Sequence, residues 1–243
     1  MSDVATDNEA VDPADRRNSG ERRLDRKFEL TEAIILAIAT VFTAWAAFQA
    51  TKWSGVQANS YSAASASRTV ASRAADVAAT EVNIDVGSFN SWLTAVNDEQ
   101  SRGETPIAAD GSYTPDRTLL SGFLYERFSD EMSPAFDAWV LTDPFENVDA
   151  PKTPFDMEEY QLSSVTLMKD LDATADEQAA TARDANQRGD NYVMVTVLLA
   201  SVLFFAGIGS KMDTMRARVL LLCLALTVLT AGIVLVATMP IEI

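Results

Sequence analysis

The 243 residues contain no histidine and a single cysteine, Cys223, which excludes a disulfide within the chain, a His- or Cys-built metal centre, and Ser-His or Cys-His nucleophilic pairs. Nineteen Lys and Arg against 35 Asp and Glu leave a net charge of −16, a balance that repels nucleic acid. The mean hydropathy of +0.02 averages two unlike parts, one apolar and one acidic.

Residues 1–28 mix Asp, Glu, Arg, Asn, Ser, Gly and Pro13 without apolar periodicity and read as a disordered cytoplasmic tail. The tail ends in a basic collar of Arg22, Arg23, Arg26 and Lys27. The collar acts as a topology signal, with anionic headgroup binding as the alternative. Residues 29–51 form the first transmembrane helix, whose stretch 33–50 carries no charge. With its flanks it reaches the roughly 20 residues that a ~30 Å hydrocarbon layer requires. A cleaved signal peptide would have a shorter apolar run and a shorter leader. Glu32 is expected to cap the first turn at the membrane surface, where a carboxylate suits the helix dipole.

The pattern then continues unbroken as a helix to about residue 96. Ala33, Ala37, Thr40, Ala44, Ala47, Thr51, Ser54 and Ala58 open a seam of small residues that repeats every 3.5 positions. Such a seam lets two helix backbones approach closely, in lipid and in water. Val56, Ala63, Val70, Val77 and Ile84 mark a second non-polar face at seven-residue spacing. A helix with two such faces is usually flanked by partners on both sides. A straight helix over 52–96 would rise about 65 Å, with Gly55 and Gly87 as places to bend or stop.

Residues 97–116 read as a loop, and Leu119 to Phe128 as a short amphipathic helix. Ser133-Pro134 and Thr153-Pro154 both look like an N-cap followed by proline in the first turn. The second is expected to start a long helix that feeds into transmembrane helix 2, residues 191–210. A basic loop, 211–218, leads to transmembrane helix 3, residues 219–239, and then to residues 240–243. The external domain, 52–190, holds 24 Asp and Glu against 10 Lys and Arg. Eleven aromatic residues gather between Phe89 and Tyr160, a small hydrophobic core at the tip, with a ring-lined ligand groove as the lesser reading.

The positive-inside rule puts the collar and the 211–218 loop in the cytoplasm, and residues 52–190 with the C-terminus outside. Trp53 and Tyr192 are expected in the outer interfacial aromatic belt. The fold class is thus an all-α membrane protein. It has three transmembrane helices and, outside the membrane, a long antiparallel helical hairpin carrying short tip helices.

Candidate chemistry is sparse. Asp143, Glu146 and Asp149 lack the spacing and glycine of a Ca²⁺ loop, and Asp98-Glu99, Glu158-Glu159 and Asp176-Glu177 read as solvated faces. No phosphate-binding loop is present. No catalytic, cofactor or metal site is expected, and the chain is read as a non-enzyme.

The patches AWAAFQATKWSGVQA (44–58), FNSWL (89–93), PAFDAWVLTDP (134–144), PFDMEEY (154–160) and NYVMVTVLLASVLFFAGI (191–208) resemble a group of small, uncharacterised bacterial integral membrane proteins. These have three transmembrane helices and a helical external insert. The resemblance implies a bacterial cytoplasmic (inner) membrane and carries no activity. The expected function is a structural or interaction protein that self-associates, or docks a membrane-complex partner, through its long small-residue helices. The alternative is an oligomeric cation channel or transport accessory subunit. Thr40, Thr43 and Gln49 would then line the pore beneath an acidic vestibule that gathers cations.

Overall fold

Among the described residues five α-helices follow one another: α1 (Pro13–Ser101), α2 (Leu120–Tyr125), α3 (Met132–Val140), α4 (Ser163–Gly209) and α5 (Met215–Thr238). The computed structural model describes residues 13–104, 107–108, 111–212 and 214–243, with side chains from Asp25 onward. Among the described residues there is no β-strand, only an isolated bridge between Ile107 and Tyr113. Three helices, α1, α4 and α5, are long and apolar enough to cross a membrane.

The chain divides into two compact units. Unit 1 comprises Met1–Tyr61 and Ala180–Ile243, and unit 2 is Ser62–Ala179. α1 contributes to both, and its buried column explains how. In unit 1 the inward residues Glu32, Ala39, Ala46 and Trp53 recur every seven positions; in unit 2 Ala64, Ala71, Ala78, Asp85, Trp92 and Glu99 do the same. A seven-residue repeat keeps one face of a helix turned to its neighbour, and alanine lets the backbones come close.

Unit 1 is a three-helix bundle. Ile35, Ala39, Ala46 and Trp53 of α1 pack with Tyr192, Val195, Leu199, Val202 and Ala206 of α4 and with Ala225, Leu229 and Val236 of α5. Gly232 allows the α4–α5 approach, since a Cβ there would sit 3.0 Å from Leu199 Cδ2. At the crossing of α1 and α4, a Cβ on Gly189 would lie 3.7 Å from the Ala50 carbonyl oxygen.

Unit 2 joins α1 to the first part of α4, with partners that descend along α4 as they ascend along α1. Ser67 donates to Gln178 (3.1 Å), Arg68 pairs with Asp176 (3.1 Å), and Ser164 donates to Glu81 (2.5 Å). The far part holds the aromatic core of Phe89, Trp92, Val96, Phe128, Met132, Phe136, Trp139 and Val140. At α2, a Cβ on Gly122 would collide with the Asp116 carbonyl oxygen, so only glycine fits.

Several expected boundaries shift. α1 begins at Pro13, inside the stretch read as a disordered tail; proline suits the first helical position, and arginine, a good helix former, recurs at positions 16, 17, 22 and 23. Residues 1–12 of that tail lie outside the described residues. The helix also runs through Gly55 and Gly87 to Ser101, so the loop starts later than residue 97. α3 starts at Met132, one residue before the expected Ser133 cap, and Ser129 Oγ accepts the Met132 N–H (3.0 Å). Thr153-Pro154 does not open the long helix. Asp156 closes a capping box with Thr153 over a three-residue 3-10 turn, Met157 is extended, and α4 starts at Ser163.

Candidate functional site

The bundle of unit 1 is apolar along its length and polar at both ends. At one end Glu32 takes a bidentate pair from Arg218, Nε to Oε1 at 3.0 Å and Nη2 to Oε2 at 3.2 Å. Asp25 adds a longer contact at 3.6 Å, and the guanidinium lies 5.5 Å from the Phe28 ring. The Glu32 side chain is 4% exposed and that of Arg218 11%. Glu32 is therefore not the first-turn cap expected from its edge position, since α1 begins well before it, at Pro13. It is the buried partner of the cation that opens α5.

At the other end three side chains converge on the residues that continue from α5. Gln49 Nε2 donates to the Glu242 carbonyl (3.0 Å), and Gln49 Oε1 accepts the Glu242 N–H (2.9 Å). Trp53 Nε1 and Tyr192 OH both donate to the Pro240 carbonyl, at 3.3 and 3.2 Å. Arg188 covers the Trp53 ring, its guanidinium carbon 4.7 Å from the centroid. Glu32 and Gln49 are 17 positions apart in α1, about 25 Å along the axis, close to the ~30 Å of a hydrocarbon layer.

This geometry changes the reading of three residues. Trp53 and Tyr192, expected at the depth of the outer interfacial belt, turn their rings into the bundle, where both are buried. Gln49, expected as pore lining, is fully buried, with both ends of its amide bonded to the chain's own backbone. The other two lining candidates bond within their own helix, Thr40 to the Leu36 carbonyl and Thr43 to the Ala39 carbonyl, each at 2.7 Å. Thr51 does likewise to Ala47 (3.0 Å). Back-bonding of this kind lets a hydroxyl sit in an apolar setting without an outside partner.

The small-residue seam lies on the other side of α1. Ala33, Ala37, Thr40, Ala44, Ala47, Thr51, Ser54 and Ala58 are all exposed, while intrachain packing uses the column through Ala39 and Ala46. On the second expected face Val56 and Ala63 are half-buried, Val56 against the core of unit 1, while Val70, Val77 and Ile84 are 43%, 50% and 62% exposed. Of the glycines that close α4, Gly209 meets Leu221 and Glu32, whereas Gly207 faces open space.

In unit 2 the acids on the buried face of α1 are met by neutral donors. Ser121 gives its N–H (2.9 Å) and hydroxyl (2.6 Å) to Glu99, which so supplies the anion missing at the start of α2. Tyr160 OH donates to Asp85 (2.9 Å). Burial, aided by that carboxylate, pushes the Tyr160 phenol well above its usual value; burial and Asp137 push Tyr125 up to about 12. A cleft of about 560 Å³ opens beside Glu104, Tyr113, Asp116, Arg117 and Ser121. Tyr113 is the one aromatic ring on its wall; most of the others interlock in the core, while Phe123 and Phe145 are exposed. Among the described residues no three His, Cys, Asp or Glu side chains converge to hold a metal ion, and Asp143, Glu146 and Asp149 form no such group.

No family model, curated protein or solved structure matches this chain.

The polar ends of the bundle were the part that sequence reasoning missed. The signals were a lone glutamine in an apolar run, with Trp53 one turn on along the same face. At the other end were a carboxylate and a cation at the borders of two different apolar segments. Each reads as an edge effect until the helices are placed side by side.

Proposed function

We propose that this chain is an integral membrane protein of structural or interaction type, spanning the bacterial inner membrane three times and self-associating through α1. Its N-terminus and the 211–218 loop face the cytoplasm, and residues 52–190 form an acidic helical hairpin outside. The observation that carries this reading is the exposure of both non-polar faces of α1: the stripe from Ala33 to Ala58 and the Val70, Val77, Ile84 row. A small-residue stripe gains nothing from lipid but much from a second helix that can pack closely against it. The valine and isoleucine row would be shielded from water by the same association.

The test uses a Cys223→Ser background carrying Ser65→Cys or Ser72→Cys, both exposed positions. Protomers cross-linked at these sites, together with an oligomer in mild detergent, are expected. A monomer without cross-links overturns the proposal.

The cation-channel alternative rests on the charge of the external segment, 24 acids against 10 bases, which would concentrate cations. It is weakened by the loss of Gln49 as a lining group. Cation flux through reconstituted vesicles would favour it, and silence would remove it.

A further inference from the structure

We propose that residues 240–242 form a latch that holds α5 in one axial position against α1 and α4. The latch is intrachain and does not depend on self-association. Pro240 lacks the N–H that would continue α5, and Met239 before it is extended (φ −81°, ψ 145°). The chain therefore leaves the helix axis and meets Gln49, Trp53 and Tyr192. All four hydrogen bonds there go to main-chain atoms, the Pro240 carbonyl and the Glu242 N–H and carbonyl. The side chains of Ile241 and Ile243 stay exposed. The slot thus reads backbone position and ignores residue type.

The rest of α5 is held by packing. Its inward residues are Ala225, Leu229, Gly232 and Val236, whose apolar contacts are non-directional, and the fit of Gly232 against Leu199 opposes an axial shift by shape rather than by a bond. Among the described residues, directional bonds to α1 sit at the two ends of α5 and its continuation: Arg218 to Glu32 at one, and Pro240 and Glu242 with Trp53 and Gln49 at the other. Gln49 and Tyr192 are fully buried. Breaking the latch leaves a buried amide, an indole N–H and a phenol without partners, which an apolar bundle penalises. Opening is therefore all-or-none rather than a gradual loosening, and α5 has a latched and an unlatched state.

The experiment uses the full chain in lipid nanodiscs, with amide exchange followed in the last turn of α5, residues 235–238. A nitroxide on Cys223, the single and exposed cysteine, reports α5 mobility. Deleting residues 240–243 is expected to speed exchange about tenfold or more and to loosen the label. Gln49→Met and Tyr192→Phe, which keep volume and remove only the polar atoms, are expected to give smaller increases that vanish when combined with the deletion. They carry the test if the deletion variant does not fold. Ile241→Ser with Ile243→Ser is expected to behave as the parent. Unchanged exchange and mobility in the Gln49→Met and Tyr192→Phe variants would overturn the latch. So would isoleucine substitutions as damaging as the deletion, because side-chain packing would then be the holding force.

Discussion

A carboxylate and a guanidinium buried together are costly to desolvate, and bidentate geometry offsets much of that cost only while both are present. Glu32 and Arg218 meet that condition at 3.0 and 3.2 Å. Removing one partner by Arg218→Gln or Glu32→Gln is expected to destabilise unit 1 by about 3–5 kcal/mol, whereas replacing both with Met and Leu is expected to be near neutral. Thermal unfolding in detergent, arranged as a double-mutant cycle, checks both outcomes. At this scale the sequence was least legible. Charge type and edge position were visible for Glu32, and chemical oddity for Gln49. Their partners, 186 and 193 residues away, were not, because pairing between helices is set by packing that no local window contains.

Single elements were easier to read. The seven-residue rhythm of α1 was legible, although its plainest seam lies on the exposed side: small residues dominate both faces, and composition alone does not say which one the chain covers itself. The helix expected at Ser133 forms, one residue early, whereas the long helix expected from Thr153 does not start there. A threonine before proline specifies a capped turn, and how far the helix continues depends on the residues beyond that turn. After Thr153 the capping box closes on Asp156 and spends its donors in one turn. The gathering of rings near the tip did identify a core. Trp92, Tyr113, Tyr125, Phe128 and Trp139 surround Phe136 at centroid distances of 4.6–5.9 Å. Phe136→Ala is expected to cost unit 2 about 3–5 kcal/mol, read as early loss of near-ultraviolet circular dichroism on heating.

The same core sets an alkaline limit. Its environment favours the protonated phenols of Tyr125 and Tyr160. Their contribution is therefore complete below the unfolded phenol value of ~10 and is lost as pH rises through the higher folded values. These phenols are expected to ionise together with the loss of helical signal above pH ~10, and Tyr160→Phe is expected to remove one of them from that step. A pH titration of phenolate absorbance alongside circular dichroism checks the coincidence.

For the whole molecule, three apolar helices and an acidic segment between the first two were plain in the sequence, because both signals are sums over many residues. The division into two units at Tyr61 and Ala180 was not, since α1 and α4 carry no glycine or proline there, and its one trace, an eleven-residue step in the inward column from Trp53 to Ala64, shows only once burial is known. Charge follows the division loosely: residues 52–190 carry −14 of the total −16, so the self-repulsion of this chain is concentrated where its buried acids are met by neutral hydroxyls rather than by cations.

The column from Ala64 to Glu99 constrains how such a chain can change size. An inserted or deleted block of seven residues, about 10 Å of helix, leaves every inward residue of that column inward, provided α4 changes by the same block. A block of three or five turns alanines outward and polar residues in. Length in this part of the protein is therefore quantised, and reach can be tuned in steps without redesigning a single contact.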